Sequence, residues 1–549
     1  MYKKSIAGVL IGIFALGLFS FKTESERYFE IAKNLDVFAT LFKEVNTYYV
    51  DEVPPAQMMR TGIDAMLKSL DPYTNYIPED DIEDFRTMTT GQYGGIGAII
   101  GSRSGKVVVQ MPYENSPAHK AGLAIGDEIL KVNGVSVVGK STDEVSKLLK
   151  GQANTGVKLE VLSYGQSKPK TVELTRANIM VDNVPYYGML DKEIGYFQLS
   201  GFTVDASKEV KMAVQKLKEQ GAKKIIFDLR DNPGGLLHEA VNISNVFVDK
   251  GTDIVSTKGK VKEWNKTYKA LDEPLDKNIP LVILTSSRSA SASEIVAGVM
   301  QDYDRAVLVG ERTFGKGLVQ ATRPLSYNSQ LKVTTAKYYI PSGRCIQAID
   351  YTHRNEDGSV GKIPDSLRVA FKTAGGRLVY DGGGVSPDVE VEQQEFSDIT
   401  RTIAANGHFF EYANKYKAER ATIPSAKEFK LTEREYQDFV SFLADKDVSY
   451  TTGIENELED IVKKAKEGKH YDDIQAELEA IKKKVSHNKA NDLMRFRAEI
   501  KEVLEAEIAS RYYLRKGYIE SSFDDDPDIL MAKQVLQDTQ KYNSYLKVK

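Results

Sequence analysis

The sequence predicts a multidomain protein that combines α+β and α/β architecture. At 549 residues the chain is too long for one hydrophobic core. Short strands punctuated by glycine occupy residues 91–179, strands alternate with helices over residues 180–395, and charged helical sequence fills residues 396–549. We therefore expect an N-terminal helical segment, a small β-rich module, an α/β core with helix-covered strands and a C-terminal helical appendage.

The extreme N-terminus, residues 1–22, has the pattern of a secretory signal or signal anchor. Lys3 and Lys4 precede an apolar run from Ile6 to Phe21. The run is short for a membrane span, which needs about 20 residues, and no cleavage motif is visible. We expect export, with cleavage and membrane anchoring both open.

Helices are predicted for residues 23–90. Apolar residues recur at three- and four-residue steps between Phe29 and Val45, and a second helix runs from Ala56 to Leu70. In the β-rich module the one clear helix is STDEVSKLLKG, which Ser141 and Glu144 open as a capping box.

The α/β core and the C-terminal appendage are defined by their apolar patterns. Apolar runs of strand length in the core are Ile194–Leu199, Lys224–Leu229, Leu281–Thr285 and Ala306–Val309. Two apolar stripes in the appendage are formed by Ile454, Leu458, Ile461 and Ala465, and by Ile474, Leu478, Ile481 and Val485. Their other faces are charged, so we expect solvated helices that could also form a homodimer or bind an adaptor.

Composition excludes several classes of function. A formal net charge of −4 gives no electrostatic basis for binding nucleic acid. A single cysteine, Cys345, rules out an intramolecular disulfide and any site built from several cysteines. The six histidines show no H-x-x-x-H spacing, so a zinc protease is not indicated. We expect neither a metal nor an organic cofactor.

Ser291 lies where a predicted strand, LVILTS, passes into a predicted helix, EIVAGVMQDY. In one interpretation Ser291 and Glu294 are only a capping box. In the other, the serine projects its hydroxyl into the crevice at the carboxyl end of the strand, where α/β sheets place their sites. The backbone amide of Ala292, at the helix start, would then face a developing oxyanion. This segment by itself leaves both interpretations open.

Lys316 is the only general base that this stretch offers, because no histidine lies near it. The sequence Gly310–Lys316 nearly matches a phosphate-binding P-loop, but Gly317 follows where Ser or Thr is required, and LVQATRPLS indicates a strand rather than a helix. In a strand, Lys316, Leu318 and Gln320 would share one face, so that Gln320 could orient the amine. The alternative is a solvated lysine beside an edge-strand glutamine.

A lysine acts as a base only when it is neutral. Its pKa must fall by about three units from about 10.4, which burial against apolar neighbours can achieve. Phe314 and Leu318 are the candidates for such neighbours.

The turn in IIFDLRDNPGGLL joins a predicted strand to a predicted helix. Consecutive glycines let backbone amides approach a ligand, and a helix start favours negative charge. One amide of Gly234 or Gly235, with that of Ala292, could therefore form an oxyanion hole. We interpret Asp228 and Arg230, with Asp231, as structural ion pairs.

Together these segments resemble the carboxyl-terminal processing protease family, which is similar to the tail-specific proteases. The resemblance covers residues 40–392. The motifs that carry it are SASE at Ser291, GKG with Gln320, DLRDNPGG, YYVD, SLDPYT, KYYIPSGRCIQ and GVSPDV. The resemblance implies a serine endopeptidase with Ser291 as nucleophile, Lys316 as base and Gln320 as its partner. It also implies a bacterial cell-envelope location, in the periplasm or anchored to the inner membrane.

The β-rich module in turn resembles a PDZ domain. Ile96, Gly97 and Ala98 match its carboxylate-binding loop, where backbone amides hold a peptide C-terminus that adds as a strand. Val145, Leu148 and Leu149 would join Ile96 in a pocket for an apolar last side chain, so protein substrates with apolar C-terminal tails are the expected partners. The alternatives are a plain glycine-rich turn and a dinucleotide site, and the latter lacks its βαβ context.

A second hypothesis makes the protein a non-enzymatic, PDZ-containing binding or adaptor protein of the same fold. Such a protein has no reason to keep the serine, lysine, glutamine and PGG turn together. Covalent labelling of Ser291 by a serine-reactive probe, and its loss in Lys316→Ala, would separate the two hypotheses.

Overall fold

A computed structural model describes residues 26–355, 358–392, 395–489 and 491–546. The predicted signal segment, residues 1–22, lies outside these ranges. The chain divides into two compact units, one of residues up to Tyr76 with Leu331–Val333 and one of Ile77–Gln330 with the chain from Thr334 onward. Over the described ranges, none of the helices has both the length and the apolar character needed to cross a membrane.

The first unit is mainly helical, as the apolar spacing predicts. Helix α1 spans residues 26–48 and α2 spans Pro55–Lys68, with the proline in the first turn, where its missing N–H costs nothing. Strand β1 (Asn75–Ile77) begins at the end of this unit.

The β-rich module is an antiparallel sheet closed by short helices. Its elements are α3 (Ile82–Thr90), β2 (Gln92–Gly95), β3 (Ala98–Arg103), β4 (Lys106–Pro112), α4 (Pro117–Lys120), β5 (Glu128–Val132), β6 (Val135–Ser136), α5 (Thr142–Leu149), β7 (Gly156–Leu162), β8 (Lys170–Thr175) and β9 (Ala177–Met180). The sheet order is β3-β4-β5-β7-β8, with β6 on β5, while β2 pairs with β9. The predicted capping box of α5 is present, with Ser141 and Glu144 bonded reciprocally.

The α/β core is built on a six-stranded sheet. Its elements are β10 (Tyr186–Met189), β11 (Ile194–Gln198), α6 (Ala206–Glu219), β12 (Lys224–Asp228), α7 (Leu237–Ser244), β13 (Asp253–Gly259), β14 (Lys266–Lys269), β15 (Leu281–Thr285), α8 (Ala292–Asp302), β16 (Val307–Gly310), β17 (Leu318–Pro324), β18 (Gln330–Tyr339), β19 (Ile349–Arg354), β20 (Val360–Lys362), β21 (Ala370–Lys372), β22 (Leu378–Tyr380) and β23 (Val389–Glu390). The sheet order is β10-β11-β12-β15-β16-β23, and every pair except β10–β11 is parallel. Strands β14, β13, β18 and β17 lie in a second sheet.

The C-terminal region consists, in its described residues, of helices joined by loops. Its helices are α9 (Asp398–Ala405), α10 (His408–Glu419), α11 (Glu433–Phe442), α12 (Gly453–Glu467), α13 (Tyr471–Lys489), α14 (Asp492–Arg495), α15 (Arg497–Ser521), α16 (Pro527–Gln537) and α17 (Thr539–Leu546). The predicted stripes fall on α12 and α13, which pack together as a hairpin.

The two faces of the main sheet are covered by different parts of the chain. Phe197, Phe227 and Ile283 face α6, α7 and α8 in one buried cluster. Their strand neighbours face the other way, because side chains alternate along a strand, and Ile226 and Val282 pack there against α15, α16 and α17. The last helices are therefore part of the core rather than a solvated appendage, and burial on both faces explains the continuous apolar strands.

Candidate active site

Ser291 stands at the corner between the carboxyl end of β15 and helix α8. Its backbone has φ +57° and ψ −113°, far from the extended conformation that an N-cap residue usually adopts. A non-glycine residue at positive φ is strained, and such strain persists where the surroundings enforce it, often at functional sites. The backbone N–H of Ser291 donates to Glu294 Oε2 at 2.8 Å. The residue therefore takes part in a capping box in a geometry that capping alone does not require.

The PGG turn after β12 packs directly against this corner. A Cβ placed on Gly234, whose φ is +92°, would lie 2.6 Å from the Ala290 carbonyl oxygen, 2.8 Å from Ala292 N and 2.9 Å from Ser291 Cβ. Only glycine fits there. The Gly234 N–H donates to Asn232 Oδ1 at 2.9 Å. The structure thus brings the predicted turn, Ala292 and the serine together.

Asn232 fastens the turn to the corner. Its backbone carbonyl accepts from Ala290 N–H at 3.0 Å and from the Ser293 hydroxyl at 2.9 Å. Its side-chain amide donates to the Leu199 carbonyl at 2.7 Å. The residue is fully buried, so the separation between the turn and the serine corner is fixed by hydrogen bonds on both sides.

Lys316 lies in the turn before β17 and not within the strand, so the expectation of a shared strand face is wrong for this residue. The strand begins at Leu318. Neighbouring side chains take the amides that a ladder would use, since Lys316 N–H donates to Glu294 and Gly317 N–H to Gln347 Oε1 at 2.7 Å. Leu318 is buried with 8% exposure, but Phe314 is 46% exposed, so only one of the two expected apolar neighbours is buried.

Glu294 joins the serine corner to the lysine turn. Its Oε2 accepts from the backbone N–H groups of both Ser291 and Lys316 at 2.8 Å. Its Oε1 accepts from the Thr313 hydroxyl at 2.6 Å and from Gly315 N–H at 2.7 Å. Burial raises the pKa of this carboxyl above its usual value, and the four donors act in the opposite direction.

Gln320 lies on β17, two residues after Leu318. Its Nε2 donates to Thr334 Oγ1 at 3.1 Å, which fixes the amide plane from the neighbouring strand β18. Gln320 and Leu318 share a strand face, as the alternation predicts.

The ion pairs predicted around DLRD are present. Arg230 binds Asp228 at 2.7 Å, and Arg288 binds Asp231 at 2.8 Å. Arg230 also binds Asp526 at 2.8 Å and Asp528 at 3.0 Å, both at the start of α16. The C-terminal helices therefore contact the segment that leads into the PGG turn. Among the described residues we find no cluster of His, Cys, Asp or Glu able to hold a metal ion.

The β-rich module carries a groove of about 300 Å³ between β3 and α5. Ile96 and Ala98 line it, Gly97 lies between them with φ +75°, and Leu149 lines it from the helix. The expectation that Val145 and Leu148 line this pocket is wrong. Val145 and Leu148 pack in the module's core with Ile96 and Leu149, but only the latter two also line the groove. The groove-facing residues of α5 are instead Thr142, Asp143, Ser146, Leu149 and Lys150 at its end.

Sequence reasoning missed two groups at this site. Glu294 is visible only as a helix cap, because its contacts with the lysine turn join segments distant in sequence. Tyr338, within KYYIPSGRCIQ, contacts both the serine and the lysine turns. Strand alternation could have shown that Tyr338 and Tyr339 face opposite ways, but not which of them faces the site.

Comparison with known proteins gives matches to three parts of the chain. The pattern of peptidase family S41 matches residues 193–353, that of a PDZ domain residues 108–163, and that of a probable PDZ-protease C-terminal helical domain residues 399–536. A carboxy-terminal-processing protease of Bartonella bacilliformis is 36% identical over 324 residues, which are 58% of this chain and 74% of the relative. A probable CtpA-like serine protease of Staphylococcus aureus is 40% identical over 316 residues, 57% of this chain and 62% of the relative.

The chain is also similar to proteins of known structure. A photosystem II D1 C-terminal processing protease is 28% identical, covers 65% of this chain and 92% of its own, and has a TM-score of 0.34. The PDZ domain of a carboxy-terminal protease from Vibrio cholerae, in complex with peptide, is 32% identical over 16% of this chain and 99% of its own, with a TM-score of 0.16. On the sequence matches, the chain belongs to the carboxy-terminal-processing serine proteases of peptidase family S41 and contains a PDZ domain.

Proposed function

We propose that the protein is an endopeptidase that cuts with a Ser291–Lys316 dyad and takes up the C-terminal tails of its protein substrates through the PDZ domain. The observation that carries the dyad is the shared carboxylate of Glu294, which binds the backbone amides of both residues at 2.8 Å. A cap alone has no use for the second of these contacts.

In the proposed reaction, neutral Lys316 takes the proton of the Ser291 hydroxyl as the oxygen attacks the scissile carbonyl carbon. The amide of Ala292 and one amide of the PGG turn donate to the resulting oxyanion. The lysine ammonium then gives its proton to the leaving amine, and water releases the acyl group by the same steps.

The oxyanion donors are supported by the packing of the turn. Gly234 lies against Ala292 N and the serine, whereas its own amide is bonded to Asn232. Gly234 would have to exchange that partner for the oxyanion, and Gly235 is the alternative donor. Gln320, held by Thr334, is proposed to orient the lysine amine.

Tail recognition is supported by the groove between β3 and α5. The groove is open beside Ile96, Gly97 and Ala98 and runs along strand β3. An extended peptide could pair with this strand, place its carboxylate at the glycine loop and bury an apolar last side chain against Leu149.

The dyad is tested with matched variants and a fluorogenic, unfolded substrate that ends in apolar residues. Ser291→Ala and Lys316→Ala should retain the wild-type melting temperature and lose turnover by at least about 10³-fold, because the nucleophile and base act as a unit. Ser287→Ala, in the same loop, and Lys337→Ala, exposed on β18, are the controls and should stay active. Wild-type-like turnover by Ser291→Ala would contradict the assignment.

We also propose that the protein is exported to the cell envelope, on the basis of the basic and apolar N-terminal segment. Fractionation of cells should place it outside the cytoplasm. The mass of its N-terminal peptide then distinguishes a cleaved signal from a retained anchor.

For the C-terminal helices we propose contact with a second copy of the chain. Ile454 and Ile461 on α12, and Ile474 and Ile481 on α13, are exposed. Each helix is acidic in its first half and basic in its second, so two hairpins packed about a twofold axis would pair opposite charges. Mass photometry should show a dimer that Ile461→Asp with Ile481→Asp dissolves. A monomeric wild type would overturn the proposal, leaving an adaptor as the other candidate.

A further inference from the structure

Tyr338 contacts both halves of the proposed dyad through one atom. Its hydroxyl donates to the Lys316 carbonyl oxygen at 2.7 Å and lies 3.1 Å from the Ser291 carbonyl oxygen. These oxygens belong to turns that follow different strands, β16 and β15. A hydroxyl has one proton, so the two carbonyls share its donation.

The ring of Tyr338 is anchored on both sides of this contact. The side chain is 1% exposed and belongs to the core cluster beneath α8. The backbone N–H of Tyr338 donates to the Gly317 carbonyl at 3.0 Å. Tyr338 is thus in register with the residue after Lys316, and its hydroxyl cannot move without the ring or the strand.

A hydroxyl at this depth needs a hydrogen-bond partner, because burying it without one costs about 1–3 kcal/mol. The Ser291 carbonyl already accepts the first helical bond of α8, from Ile295 N–H at 3.0 Å. Tyr338 is therefore a second donor to that oxygen, using its second lone pair. A phenylalanine ring would fill the same space in the core. The hydrogen bonds to the two carbonyl oxygens therefore indicate a role for the hydroxyl beyond packing.

Tyr338 complements Glu294. Glu294 accepts from the backbone N–H groups of Ser291 and Lys316, and Tyr338 binds their carbonyl oxygens. All four backbone polar groups of the two residues are thereby held by two buried side chains. The relative position of nucleophile and base is set at both ends of each residue.

We propose that Tyr338 is a positioning residue that couples Lys316 to Ser291. The proposal rests on the dyad proposed above. Through the two carbonyls, Tyr338 holds the lysine turn against the serine corner, and so keeps the amine in reach of the serine hydroxyl. A displacement of about 1 Å between two reacting groups can cost about 100-fold in rate.

The test compares Tyr338→Phe with Tyr339→Phe. Tyr339 follows it on β18, points to the opposite face and stacks with Lys258, so it controls for the loss of a tyrosine hydroxyl from this strand. Each variant is assayed with the fluorogenic substrate over a range of pH, and rates are divided by the folded fraction from circular dichroism.

For Tyr338→Phe we expect kcat to fall about 10- to 100-fold with KM within about twofold, because positioning acts on the chemical step. A loosened turn admits water to the amine, so the acidic limb of kcat/KM should move to higher pH. The deficit should therefore shrink as the pH rises. A reduced folded fraction would lower the rate equally at every pH.

Wild-type kcat and acidic limb in Tyr338→Phe, or the same change in Tyr339→Phe, would overturn the proposal. Failure of the dyad is recognised separately, since Ser291→Ala or Lys316→Ala would then remain active whatever Tyr338→Phe does.

Discussion

Gly234→Ala perturbs the proposed oxyanion turn with a single methyl group. The new Cβ would lie 2.6 Å from the Ala290 carbonyl oxygen and 2.8 Å from Ala292 N. Both are backbone atoms at the serine corner, and the corner is held by Asn232 and Glu294. The turn must therefore move away from the corner, and its amides leave the position proposed to face the oxyanion.

The size of the effect follows from the loss of one donor. Removing one oxyanion-hole donor costs about 2.7–4 kcal/mol of transition-state stabilisation, or a fall of about 10²–10³ in kcat. The substrate's ground state carries no oxyanion, so KM should change little. Alanine at a φ of +92° adds a stability cost of roughly 1–2 kcal/mol.

Gly221→Ala is the matched control. Gly221 has a φ of +101° but its Cβ would meet no atom within 4 Å. It should carry only the backbone cost of roughly 1–2 kcal/mol, without the steric clash, and keep its kcat. Steady-state kinetics and melting temperatures, measured on both variants, separate the effect on kcat from the effect on stability. A Gly234→Ala enzyme with kcat within about threefold of Gly221→Ala would refute this account of the turn.

Further predictions concern stability. Burial, with Asp525 and Asp526 nearby, raises the pKa of Glu502 to about 7. A raised pKa contributes stability that is present below about pH 4.5 and lost as the pH rises through 7, so Glu502→Gln should equal wild type at pH 4 and be roughly 1–2 kcal/mol more stable at pH 8 by urea denaturation. Arg230→Ala leaves the fully buried Asp228 without its cation and should cost about 3–5 kcal/mol. Arg288→Ala breaks a pair whose arginine is 75% exposed and should cost less than about 1 kcal/mol.

The order of strands and helices in the core was predictable because each apolar run is bounded by turn residues. The serine corner was predictable for the same reason, since Ser291 follows a strand and opens a helix. Lys316 was assigned to a strand because alternation alone cannot show that Glu294 and Gln347 take the amides of residues 316 and 317. Contacts between segments far apart in sequence override local pattern there.

For the same reason, the sequence did not show which faces of the C-terminal helices and of the PDZ helix α5 are buried. Charged residues on one face of α15–α17 gave no sign that the other face covers the main sheet, because the partner strands lie far away in sequence. In α5, Val145 and Leu149 both belong to the module's core, and Leu149 also lines the groove. The spacing of apolar residues predicts two apolar faces on α5, but it does not show which of them borders the groove.

The cover that α15–α17 provide has a consequence for how the sheet is completed during synthesis. Ile226 and Val282 pack against helices that follow the whole sheet in sequence, and Leu281 N–H bonds to the hydroxyl of Tyr542, 261 residues further along the chain. Contacts of such separation form late in folding. A nascent chain therefore carries the proposed serine and lysine on a sheet with one uncovered face until α15–α17 have been synthesised and have packed.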